Sequence, residues 1–150
     1  MPHSFVYMHK LEEKDMDSIS LKMPVTVKAK LTEKLKARLL KELEENLNRV
    51  VLDLQQLNIQ EQRVLKENEA AGPQAAQAIH AHFAEERQKR EQFRAETTKR
   101  KEDLEKLAIG AEIVQGTLER QVEVHVGDNM RELMNVEVLV EDDKIVAIRG

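Results

Sequence analysis

Histidines, serines and clustered charges are the residues here whose types could carry chemistry. His80 and His82, in the run "HAH", stand two positions apart. On a helix that spacing turns them about 200° from one another, so they cannot share a metal ion. His82 and Glu86 do share a helical face, but two ligands do not make a zinc site. His125 falls on the polar side of a strand pattern and reads as a surface residue. The serines are Ser4, Ser18 and Ser20, near the N-terminus or within a strand pattern, and no G-x-S-x-G, glycine-rich phosphate loop or P-loop occurs. Glu141-Asp142-Asp143 has the composition of a hairpin turn before that of a cation site. No cysteine is present, which excludes disulfides, thiolate metal sites and a cysteine nucleophile. These residues imply no catalytic residue, no metal and no cofactor: the chain reads as non-enzymatic.

Two basic runs remain, "RQKR" with Arg87, Lys89 and Arg90, and "KRK" with Lys99, Arg100 and Lys101. Acids interleave them, and the runs themselves contain no aromatic side chain to stack on a base. A solvated helix face is the simpler reading. Contact with RNA or the ribosome through these six residues is the alternative, and is not favoured.

The composition suits long exposed helices better than one compact core: 35% of residues are charged and only 3% aromatic. The net charge of −4 is uneven. Residues 110–150 hold 4 basic and 9 acidic groups, net −5, so this segment repels phosphate backbones. The N-terminus lacks the basic-then-apolar order of a secretory signal. No window approaches the ~20 apolar residues needed to span a bilayer. A cytoplasmic protein without a membrane partner is expected.

The elements that must position these residues follow from hydrophobic periodicity. Over 18–31, Ile19, Leu21, Met23, Val25, Val27, Ala29 and Leu31 alternate with polar residues, the pattern of a half-buried strand. Pro24 within it argues for an edge position or a bend. At Thr32, a plausible N-cap, the period changes. Leu40, Leu43, Leu47, Val50, Leu54 and Leu57 then follow at spacings of 3 and 4, a heptad seam that Val64 resumes after Glu61. Gly72-Pro73 breaks the run, and a second one extends to about Leu107. Two runs of nearly equal length around one breaker predict an antiparallel helical hairpin, in which paired residue numbers sum to about 141. Phe83 then lies near Leu57, Phe93 near Leu47 and Leu107 near Leu35. Beyond Gly110, Val122, Val124 and Val126, then Val136, Val138 and Val140, alternate with polar residues. "GDN" at 127–129 and Asp142-Asp143 mark turns, and "NMRELM" at 129–134 one helical turn.

The fold class expected is α+β, a long antiparallel coiled-coil helical hairpin inserted in a small antiparallel β-sheet or barrel of four or five strands. Residues 1–17, with Phe5 and Tyr7, form an N-terminal extension. Residues 18–31 and 111–150 form the β-platform, and 32–110 the hairpin, with its tip at 70–74. The first helical run carries thirteen large apolar residues and the second only five. That asymmetry leaves the first helix half covered unless the stems of Arg90, Arg94 and Arg100 lie over it or another chain packs against it. Association is the preferred reading, through Leu39, Leu43, Leu47, Val50 and Leu54, with the tip at Ala71, Gly72 and Pro73 as a second contact.

"MPVTVKAKLTEKLKARLLKELEENL" and "IGAEIVQGTLERQVEVHVGDNMRELMNVEVLVEDDKIVAIR" resemble the YlqD family of bacteria over residues 21–149. The resemblance rests on the "TVKAKLTEKLK" entry, the "VEVHVGD" strand-turn and the closing "VLVEDDKIVAIR" hairpin. It implies no catalytic residues to carry over. The position of some members' genes near ribosome-maturation genes gives the ribosome alternative slight support. The expected function is a non-catalytic interaction or scaffold protein, a homo-oligomer that also meets an unidentified protein partner.

Overall fold

The computed structural model describes residues 15–150. The extension with Phe5 and Tyr7, together with His3, His9 and Ser4, lies outside the described residues except for its last positions. The element order is β1 (Ser18–Lys30), α1 (Glu33–Glu67), a 3-10 turn (Glu69–Ala71), α2 (Pro73–Lys106), β2 (Glu112–His125), α3 (Met130–Met134), β3 (Val136–Glu141) and β4 (Lys144–Arg149). The described residues divide into two compact units: Thr32–Ile109, and a sheet unit that joins Gly110–Gly150 to the described residues before Thr32.

The helical unit begins where the sequence places it. The Thr32 hydroxyl accepts a hydrogen bond from the Leu35 N–H at 3.1 Å, and satisfies one of the donors that a helix start leaves free. Thirty-five residues follow without a break. Asn68, not Gly72, closes α1: its side-chain amide donates to the Val64 carbonyl at 2.8 Å, as does its N–H at 3.1 Å. Gly72 instead precedes α2, with φ +93° in the region that glycine tolerates, and Pro73 opens the helix. The helices run antiparallel. Glu61 meets His80, Asn58 meets Arg87, Glu44 meets Lys101 and Lys36 meets Glu105. These pairs sum to 141–145, which is the register the sequence predicts with a slight offset. Leu35, Val50 and Leu57 are buried on α1; Phe83, Thr97 and Leu104 on α2. The seam is not continuously apolar. Glu86 and Arg90 occupy heptad positions of α2 and pair with each other at 3.2 Å.

The sheet unit is four-stranded in the order β2-β1-β3-β4. The expectation of an antiparallel sheet holds for β1–β2 and β3–β4. It fails at β1–β3, which pair in parallel over Val25–Ala29. The sheet is therefore mixed. The parallel pair is reached because the long helical insertion and β2 intervene between its strands, giving the chain room for a crossover. Pro24 sits in a central strand, one residue before the pairing with β3 begins, so the proline breaks no bond to β3. Asp142 and Asp143 join β3 to β4 with φ values of 45° and 70°, the left-handed pair that a two-residue hairpin turn requires.

Candidate functional site

Register decides which side chains share a face of the sheet. On one face β1 presents Ile19, Leu21, Met23, Val25, Val27 and Ala29, and β2 presents Val124, Val122, Leu118 and Ile113 beside them, with Arg120 opposite Met23. Val136, Val138 and Val140 of β3 continue the rows, and Ile148 and Ile145 of β4 complete them. The middle of this apolar face is buried at Met23, Val25 and Ala29. Its margins are not: Leu118, Ile145 and Ile148 are 61%, 63% and 73% exposed. Leu133 of α3 lines an open cleft of about 380 Å³ beside Val136, Ile148 and Arg120.

The opposite face is charged. Lys28 pairs with Glu137, and Lys30 with Glu141 at 3.5 Å. Arg149 holds Glu112 with both guanidinium nitrogens, at 2.8 and 2.9 Å, which keeps that carboxyl below its ordinary range. Arg149 and Glu112 lie on the first and last strands of the sheet order, so this face must curve to bring them together. Leu139, on the charged face by register, is buried among these pairs.

In the helical unit one residue of the sequence-predicted association face, Val50, is buried and the other four are partly covered. Val50 is only 3% exposed, and lines a small cavity with Arg90 and Phe93 of α2. Val50 is thus buried within the hairpin. Leu39, Leu43, Leu47 and Leu54 are half-buried. The apolar residues of α1 that do face solvent are Leu52 and Ile59. At the tip, Ala71 and Pro73 are exposed and Gly72 is half-buried, and an open cleft of about 690 Å³ lies between Leu65, Gly72 and Ile79.

The six basic residues are mostly engaged. Arg87 holds Glu61 at 2.7 Å, Lys89 and Arg90 hold Glu86 at 3.2 Å, Lys99 holds Asp103 at 2.8 Å and Lys101 meets Glu44 at 3.4 Å. Arg100 alone of the six has no ion pair among the described residues.

Sequence reasoning passed over Glu61. It stands in heptad phase between Leu57 and Val64, and is buried. His80 Nδ1 donates to its carboxylate at 2.8 Å and Arg87 at 2.7 Å, while Arg87 also reaches the Asn58 amide oxygen at 3.0 Å. The hydrogen bonds from His80 and then Arg87 hold the Glu61 carboxyl below its ordinary pKa, against the opposing effect of burial. The signal was the acid in the leucine seam; its partners lie 19 and 26 positions away. Among the described residues, no group of three or more His, Asp or Glu stands close enough to hold a metal ion.

The sequence and this arrangement can be compared with known proteins. A family model described as YlqD protein matches residues 19–149. The chain belongs to the YlqD family. No curated protein matches this YlqD chain. Its fold is similar to a crystal structure of a protein of unknown function from Synechococcus sp. WH 8102, with TM-score 0.77 and 24% identity. The match covers 89% of this chain and 95% of that one. At that identity the likeness shows a shared fold.

Proposed function

We propose that this YlqD protein acts without catalysis, as a self-associating protein that gathers several helical hairpins into one particle for a macromolecular partner. The exposed apolar margin of the sheet carries the reading. Leu118, Ile145 and Ile148 stand at the two outer strands, each more than 60% exposed. Each such side chain stabilises by roughly 1.5–3 kcal/mol when fully buried. A second copy offers matching apolar strands and the charges to pair with them. On α1, Leu52 and Ile59 supply further apolar surface for a partner. Nucleic-acid binding suits this surface less well, because carboxylates already neutralise five of the six basic residues on α2.

The test is co-expression of two differently tagged copies, with one tag captured at about 50 and about 200 mM salt. Contacts to phosphate weaken steeply over that range. Recovery of the second tag at both concentrations, with nuclease-treated lysate, is the expected result. Failure to recover it at either would refute self-association, and recovery lost on nuclease treatment would transfer the reading to RNA.

A further inference from the structure

The self-association proposed above needs an interface, and the inference here rests on that reading. Among the described residues, the strands β2 and β4 each have a hydrogen-bonded neighbour on one side only. Their outer edges present a row of backbone donors and acceptors, a template for pairing with another chain.

Geometry limits how two copies can join there. β2 is antiparallel to β1, β3 is parallel to β1, and β4 is antiparallel to β3. So β2 and β4 run in the same direction. Let a second copy place its β2 beside β4, with both charged faces on one side. A proper rotation that keeps the face and the order across the sheet also keeps the strand direction. The new pair is then parallel.

Charge fixes the register. Lys144 and Arg149 lie opposite Glu141 and Glu137 of β3, so they are four ladder positions apart on the charged face. Glu119 and Glu123 lie opposite Pro24 and Ser20 of β1, also four positions apart on that face. A parallel pair sets Lys144 beside Glu119 and Arg149 beside Glu123. On the apolar face the same register sets Ile148 beside Val122 and Ile145 beside Arg120. Lys144 and Glu119 are exposed, and neither makes an ion pair among the described residues. Arg149 is already shared between Glu112 and Glu137, so Lys144–Glu119 is the pair that decides.

We infer that copies of this chain join head to tail, β4 of one pairing in parallel with β2 of the next, with Lys144 against Glu119. The interface is heterologous, so it closes into a ring or extends as a chain.

The test uses the full chain and four mass measurements by sedimentation velocity: wild type, Glu119→Lys, Lys144→Glu and an equimolar mixture of the two variants. Each reversal replaces an attraction by a repulsion, and is expected to raise the dissociation constant about tenfold. Mixing the two variants restores assembly, since every mixed interface then carries opposite charges. Circular dichroism confirms that each variant is folded. A monomeric wild type would overturn self-association itself. An assembled wild type whose mass neither reversal changes would overturn this interface and leave self-association standing. A loss with Lys144→Glu alone would point to β4 pairing with itself and refute the head-to-tail arrangement, as would variants that fail to rescue each other.

Discussion

Glu61 shows how much one residue can report. A carboxylate in a leucine seam is costly to bury unless it is paired. Here His80 and Arg87, about two turns apart on the facing helix, supply the pairing. The position was visible in the sequence as a break between Leu57 and Val64. The partners were not, because nothing local connects residues so far apart. Removing Arg87 leaves the carboxylate with one partner, and hydrogen bonds to charged groups contribute about 1.5–3 kcal/mol. Arg87→Met is therefore expected to lower unfolding free energy by roughly 1–2 kcal/mol, allowing for the partial exposure of Arg87. Chemical denaturation measures it, and no change would contradict the pairing. The pH dependence has a definite sign. The folded pKa of Glu61 lies below 4.5, its ordinary value. Its contribution to stability is thus fully present above that pH, and drains away as pH falls through the lower folded value. In Glu61→Gln the thermal midpoint is expected to fall less steeply on acidification below about pH 4.5 than in the wild type.

Single elements were the most legible scale. The switch of period at Thr32, the cap it provides and the antiparallel register of α1 and α2 all follow from local pattern. Burial on α1 was less legible. A helix with apolar residues on more than one side does not announce which side faces its partner. Val50 lies beside Arg90 and Phe93 of α2 and is buried, while Leu52 and Ile59 are open. Leu57→Ala is accordingly expected to cost about 2–5 kcal/mol and Leu52→Ala less than about 0.5 kcal/mol in unfolding experiments. Equal effects would contradict this burial. Gly72 tests the tip. Its φ of +93° strains any residue with a Cβ although nothing lies within 4 Å of where one would stand. Gly72→Ala is expected to destabilise by about 1 kcal/mol through backbone strain alone. In the sheet, alternation revealed which residues share a face. It could not reveal that β1 and β3 run in parallel, because alternation is the same in either direction. That direction sets where the charges of β4 and β2 fall.

At the scale of the whole molecule, the chain carries charge nearly everywhere and yet leaves Leu118, Ile145 and Ile148 open at the sheet margins. The acidic balance of residues 110–150 was plain in the sequence. Its division between outer strands, with Glu119 and Glu123 on β2 against Lys144 and Arg149 on β4, needed the sheet order. The YlqD match places the chain in a family without supplying an activity. The proposed function stands or falls on whether copies of the chain assemble. The most direct measurement is the mass of the unmodified protein by sedimentation velocity across a micromolar dilution series. Species at multiples of 17.3 kDa that dissociate on dilution, or a stable ring, are the predicted result. A single 17.3 kDa species at the highest concentration would contradict it.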